Sequence, residues 1–290
     1  MRILLAGATG VVGRRLVPLL VAGGHDVTAL TRRPERAAGL RAAGARPAVV
    51  DVRDAAALAE AVRAAAPDVV VHQLTDLAAG DLAANAALRV AGTRVLVDAA
   101  LAAGARRIVA QSIAWAYAGG DGPADEDTPL DLDAPEPRRT TVRGVAALED
   151  AVREAPEWVL LRYGMFYGPG TWFAPDGQRA ADARAGRLTA GRDVTSFLHV
   201  DDAAAAAAAA LGWRSGAVNV CDDEPAAGRD WVPAFCAAVG APPPPSSEAA
   251  RRAWARGADN RRARERHGWA PRHRSWRAGF ALSGAAPAPR

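Results

Sequence analysis

From residue 1 to roughly 115, continuous apolar runs of strand length alternate with Ala-, Leu- and Val-rich stretches of helix length, broken by Gly or polar residues. That alternation predicts a parallel sheet with helices on its faces. The runs are Ile3–Ala6, Val27–Leu30, Ala48–Val50, Val69–His72 and Arg107–Ala110, and they lack a two-residue period, as strands buried on both faces do. Between them, Ala55–Ala66 and Arg89–Ala103 space apolar residues three and four apart, which predicts amphipathic helices. Pro18, inside the first expected helix, should bend it. Gly, Pro, Asp and Glu dominate Gly119–Arg139 and predict a surface loop. A helix over Thr141–Arg153, a strand over Trp158–Arg162 and a shorter strand over Thr195–Leu198 are expected next. The eight alanines Ala203–Ala210 form a helix on this reading, with Asp201 or Asp202 capping its start. Pro242–Pro245 should be a stiff extended spacer. No repeat of solenoid or propeller period is present. The expected fold class is α/β: a doubly wound parallel sheet over residues 1–165 and a smaller C-terminal region over 166–290. A strand and helix near 195–220 should return to the sheet.

The chain has 290 residues, half of them hydrophobic and 23% charged, which excludes a disordered or fibrous protein. It contains no lysine, so all 36 basic residues are Arg, and Schiff-base catalysis and the P-loop lysine are excluded. Two cysteines, Cys221 and Cys236, make neither a metal cluster nor a disulfide framework and read as small apolar residues of a reducing cytosol. No His-x-x-x-His or Cys-x-x-Cys spacing suggests a metal. The apolar run before Gly7 is too short for a spanning helix or a secretion signal, so a cytoplasmic protein without a membrane partner is expected. From Arg251 to Arg290 there are eleven Arg against Asp259 and Glu265. With a net charge of only +4 and no nucleic-acid module, this tail reads first as a solvated helix face and second as a site for an anionic substrate group.

The sharpest motif is Gly7-Ala8-Thr9-Gly10-Val11-Val12-Gly13, directly after the first strand and opening the first helix. Glycines there permit a tight turn and let main-chain N–H groups reach a diphosphate at the helix start, which predicts a dinucleotide cofactor. The second strand ends at Thr31-Arg32-Arg33, where an acid would accept the ribose hydroxyls of NAD. Two guanidinium groups there favour a 2′-phosphate, so NADP is preferred over NAD. Asp51 is placed either to accept from the adenine amino group or to serve its own loop.

These residues resemble the extended, epimerase/dehydratase-like branch of the short-chain dehydrogenase/reductase superfamily. The G-x-x-G-x-x-G spacing of Gly7, Gly10 and Gly13 is that branch's form. Further matches are Asp51-Val52-Arg53-Asp54, Gly92-Thr93, Leu161–Gly164 with Tyr167–Gly170, Phe197–Asp202, Val218–Val220 and Gly268–Pro271. The resemblance implies a Rossmann-like domain with a smaller substrate-covering region. It also implies Thr9, Val12, Val52, Leu74 and Tyr163 as further cofactor contacts. Dimerisation through helices beside the sheet is common in the superfamily, and nothing in this chain decides it.

The departures are as informative. The family's Tyr-x-x-x-Lys pair falls on Thr141 and Val145, counting back from Glu149, so phenol and ammonium are both missing. The assisting Asn becomes Arg89, and the active serine is either Ser112 or has been replaced by Ile113. Carbonyl reduction still needs a donor for the developing alkoxide, which leaves Ser112 and Tyr117 as catalytic candidates. Met165 stands where a polar substrate contact is common and suggests a less polar ligand than a sugar. Trp115, Phe166, Trp172 and Phe173 are either pocket wall or core, and Thr141 would face the substrate. His199 is either a general acid or, as the matching segment implies, an ordering group in the turn before a helix. Three functions follow from this pattern. They are an NADP-dependent oxidoreductase acting on a small, largely apolar organic substrate; a non-redox dehydratase, isomerase or cyclase; and an NADP(H)-sensing binding protein. The first is preferred.

Overall fold

Apolar runs without a two-residue period become the strands of a central sheet in the computed structural model, which describes residues 1–75 and 81–284. In chain order the elements open with β1 (Arg2–Ala6), α1 (Gly13–Ala22), β2 (Asp26–Thr31), α2 (Ala37–Ala42), β3 (Arg46–Val49), α3 (Ala55–Ala65) and β4 (Val69–His72). Next come α4 (Leu82–Ala87), a π turn (Leu88–Gly92), α5 (Thr93–Ala102), β5 (Arg107–Ile113), α6 (Arg138–Val152) and β6 (Glu157–Tyr163). The remainder are β7 (Met165–Tyr167), α7 (Gln178–Arg184), β8 (Val194–Thr195), β9 (Phe197–His199), α8 (Val200–Ala209), β10 (Gly216–Val220), β11 (Ala226–Ala227), α9 (Gly228–Ala238), α10 (Arg261–His267) and α11 (Trp276–Gly284).

The main sheet runs β10-β6-β5-β4-β1-β2-β3. β1 pairs in parallel with both β2 and β4, Leu4 lying opposite Thr28 and Val70. The strand order therefore reverses between β1 and β4, and the carboxyl edge at such a switch point is where open α/β sheets bind ligands. Leu4, Val70 and Ile108 from the strands bury against Leu58, Val62, Leu96, Val97 and Leu148 from α3, α5 and α6. Each fully buried aliphatic side chain contributes about 1.5–3 kcal/mol, so this layer supplies much of the driving force.

The chain divides into two interleaved units, one of residues Met1–Ala116, Leu130–Arg162 and Ala204–Val218, the other of Tyr117–Pro129, Tyr163–Ala203 and Asn219–Arg290. Beside the boundary expected near residue 165 and the return expected near 195–220, Tyr117–Pro129 also falls in the second unit. The second unit has its own aromatic core, with Phe197 edge-on to Phe173 and to Phe280, both at 5.4 Å between ring centroids.

Several local expectations are revised. The helix expected from Arg89 begins at Leu82, where the Asp81 carboxylate accepts the Ala84 N–H at 2.9 Å. The strand expected over Thr195–Leu198 breaks at Ser196 into β8, antiparallel to β11, and β9, parallel to β7. α1 continues through Pro18 to Ala22. Asp202 lies in the first turn of α8 but caps nothing there: its carboxylate accepts the backbone N–H groups of Arg272 and His273 at 3.1 and 2.9 Å. Among the described residues no helix is long and apolar enough to cross a membrane.

Candidate functional site

Residues Gly7–Gly13 turn sharply from β1 into α1. Gly7 has φ of +89°, and a Cβ there would lie 2.4 Å from the Gln73 carbonyl oxygen; one on Gly13 would lie 2.1 Å from the Gly7 carbonyl oxygen. The turn closes through the Gly10 N–H, which donates to the Gly7 carbonyl at 3.0 Å. α1 has no side-chain cap and no acid in its first turn, so its leading N–H groups are left for an anion. Thr9 and Gly10 are exposed above the turn, while Val12 is buried beneath it. Arg32 and Arg33 follow β2, both exposed, with the Arg33 N–H held by the Thr31 hydroxyl at 3.1 Å. Asp51 is exposed and accepts the Arg53 N–H at 3.0 Å, and Val52 is buried. The Leu74 N–H donates to His72 Nδ1 at 3.2 Å. Gln73, between these two, is 4% exposed, and both polar atoms of its side chain lack a partner. The Cβ-free cradle and this orphaned amide beside Gly7 fit a dinucleotide. Gln73 carries no sequence signal that would have marked it.

At the end of β5 the picture differs. The Ser112 hydroxyl is 1% exposed and donates to Glu149 Oε1 at 2.7 Å. Arg162 grips the same carboxylate with Nε and Nη2 at 2.8 and 2.6 Å, and Arg153 adds a bond at 2.8 Å. Burial pushes the Glu149 carboxyl up, but the Arg162 hydrogen bonds and charge, the Ser112 hydroxyl and Arg153 outweigh it and hold it below the usual carboxylate range. Ser112 is thus a hydrogen-bond partner of the buried Glu149–Arg162 ion pair. Thr141 and Val145 lie one turn apart on the buried side of α6, and Val145 packs with Ile113, Ala116 and Val142 in an aliphatic cluster flanked by Trp115 and Leu130. The Trp115 carbonyl accepts from Arg138 at 2.8 Å.

Beyond β4, His72 Nε2 meets the Thr93 hydroxyl at 2.9 Å while Nδ1 accepts from Leu74. Burial, with the Arg89 charge adding to it, lowers His72 to about 4, so the ring is neutral at neutral pH. Arg89 is 5% exposed.

In the second unit, the buried Tyr117 hydroxyl donates to Asn219 Oδ1 at 2.5 Å, and Asn219 in turn donates its N–H to Glu126 at 2.7 Å. Tyr117 is thereby tied into the unit's own frame. Tyr163 is buried, donates to the Ala203 carbonyl at 3.3 Å and packs on Phe166 at 5.2 Å. Met165 and Phe166 are half-buried, Trp172 is exposed, and Phe173 is core. His199 accepts the Asp201 N–H at 3.2 Å and stacks on His273 at 3.7 Å, an ordering role at the start of α8. Both thiols are buried, and burial raises Cys221 and Cys236. The arginine-rich tail, whose residues 285–290 lie outside the described residues, is largely paired: Arg262 with Asp127 at 2.7 Å, Arg274 with Asp223 at 2.8 Å and Arg277 with Glu224 at 2.6 Å.

The NAD dependent epimerase/dehydratase family model matches residues 3–221, and the chain belongs to that family. It is 48% identical to a Streptomyces 3-diazoavenalumate denitrifying reductase over 97% of this chain and 99% of that protein. Among solved structures it is similar to the Bordetella bronchiseptica enzyme WbmG in complex with NAD and UDP, with a TM-score of 0.78 and 24% identity over 98% of this chain and 93% of that one. Thermus thermophilus UDP-glucose 4-epimerase in complex with NAD has a TM-score of 0.74 at 24% identity, over 98% of each chain. The protein is an enzyme of this family, an oxidoreductase by its reductase relative, with a pyridine nucleotide as cofactor.

Proposed function

We propose that this enzyme is an NADP-dependent reductase that replaces a diazo group by hydrogen on an organic anion with a largely apolar body, the compound class its 48%-identical relative is named for. The observation that carries this reading is the aliphatic cluster of Ile113, Ala116, Val142 and Val145 where the family's proton relay is expected. When bound, the reduced nicotinamide supplies a hydride whose electron pair makes the new C–H bond while the C–N pair leaves with dinitrogen, so a diazonium carbon is reduced without uptake of a proton.

A carbonyl reductase needs a phenol or ammonium to neutralise an alkoxide; this reaction forms none. The chain's residues then have binding and positioning roles only. The turn amides of Gly7, Thr9, Gly10 and Gly13 receive the diphosphate, Val12 supports the turn from below, and Arg32 and Arg33 pair with the 2′-phosphate. Asp51 and Val52 border the adenine, and Leu74 borders the nicotinamide. Thr141 and Trp115 contact substrate, whereas Ser112, Tyr117 and His199 keep the structural partners described above. A redox role is favoured over the non-redox and binding-protein readings because the glycine cradle is retained beside a reductase relative.

The test is a turnover of 3-diazoavenalumate with NADPH deuterated at C4. Dinitrogen release matched by cofactor oxidation, with deuterium in the product from the cofactor and none from D2O, is expected. Release without cofactor oxidation overturns the reading. Replacing both Arg32→Ala and Arg33→Ala should raise KM for NADPH about tenfold and leave KM for NADH nearly unchanged; equal shifts would remove the 2′-phosphate contact.

A further inference from the structure

The crossover after β4 enters its helix through the π turn, in which the Thr93 N–H bonds to the Leu88 carbonyl, five residues back. Such single-turn swellings inside α-helices gather at functional sites because they re-aim side chains without ending the helix. The side chain at issue here is Arg89, four residues before Thr93 and 5% exposed.

Among the described residues of the first unit, the other strongly buried charges, Glu149 and Arg162, are each other's counter-charge. Arg89 has none: among the described residues no carboxylate, carbonyl or hydroxyl accepts from its guanidinium. Its neighbour His72 offers no compensation, since both ring nitrogens are engaged and the ring is neutral. Burial lowers Arg89 only to about 10, so the guanidinium stays charged at neutral pH. A largely buried guanidinium without a counter-charge carries five N–H donors in a planar fork, which matches a carboxylate through two parallel bonds. Its charge acts on His72, the last residue of β4, at the carboxyl end of a strand that flanks the β1/β4 switch point.

We infer that Arg89 is the anion anchor of the substrate site, its guanidinium receiving the substrate's carboxylate. This rests on the reading of the substrate as an organic anion. It assigns the binding specificity to a residue that stands where the resembling family carries an uncharged Asn. The diphosphate of the cofactor has its own receptor in the main-chain amides of the glycine turn, which leaves the guanidinium for the substrate.

The experiment measures binding of 4-hydroxycinnamate and of its uncharged methyl ester to the NADP-loaded protein by calorimetry. Wild type is expected to bind the acid at least about tenfold more tightly than the ester. Arg89→Met should abolish that preference and leave NADP affinity within about twofold. In Arg89→Ala, added guanidinium chloride should restore acid binding, whereas equal sodium chloride should not. The inference is overturned if Arg89→Met keeps the preference, if wild type binds acid and ester alike, or if NADP affinity falls in parallel, which would make the anion a cofactor phosphate. Failure to release dinitrogen from 3-diazoavenalumate with the charge preference intact overturns the proposed reaction and leaves the anchor standing. Dinitrogen release without any charge preference does the reverse.

Discussion

Under α6, Glu149 is fully buried and both its oxygens are engaged by Ser112, Arg153 and Arg162. At the π turn, Arg89 is nearly as buried and is offered nothing by the described residues. Two charges in one unit thus meet opposite treatment. A buried ion that serves the fold is bonded to exhaustion, because each unpaired lone pair or proton costs free energy. One left open is a cost the fold carries for another purpose.

The largest expected effect breaks the first half of that contrast. Glu149→Gln strands Arg162 and Arg153 beside a neutral amide and should lower stability by about 3–5 kcal/mol, read from urea unfolding. Next is the acid limb. His72 titrates at about 4 when folded against 6.5 when free. The unfolded chain therefore takes up the proton first as pH falls, and stability drops by about 3 kcal/mol between pH 6.5 and 4 while staying level above 6.5. His72→Asn should remove that component of the pH–stability curve; an unchanged curve would mean the ring is not kept neutral.

Arg89→Met sharpens the contrast from the other side. Removing a charge with no counter-charge should raise stability by about 2 kcal/mol. A loss comparable to that of Glu149→Gln would show that Arg89 has an internal partner after all. Ser112→Ala is the mildest, a loss of about 1 kcal/mol, since Glu149 keeps its Arg partners.

Features set by local backbone chemistry were legible in the chain. Gly7 and Gly13 announce their turn because a Cβ on either would lie 2.4 or 2.1 Å from a carbonyl oxygen, and the run Val69–His72 reads as a buried strand without reference to any partner. Thr141, Val145 and Glu149 all lie on the buried side of α6. What the pattern could not convey is pairing across long loops. Ser112 reads as a free hydroxyl until Glu149, 37 residues on, accepts its hydrogen bond. Tyr117 reads as a donor until Asn219, 102 residues on, accepts from it. The π turn is hidden too, because one extra residue per turn leaves no compositional mark. Gln73 and Arg89 are conspicuous only through the partners they lack.

The aliphatic patch of Ile113, Val142 and Val145 bears on product identity as well as on proton supply. A carbon carrying dinitrogen as its leaving group is prone to solvolysis, which would deliver a hydroxylated by-product in place of the reduced one. The hydroxyl and amine groups of a conventional relay would hold ordered solvent at that spot, and methyl groups do not. Under the proposed reaction, an aliphatic lining at these positions favours C–H over C–O bond formation.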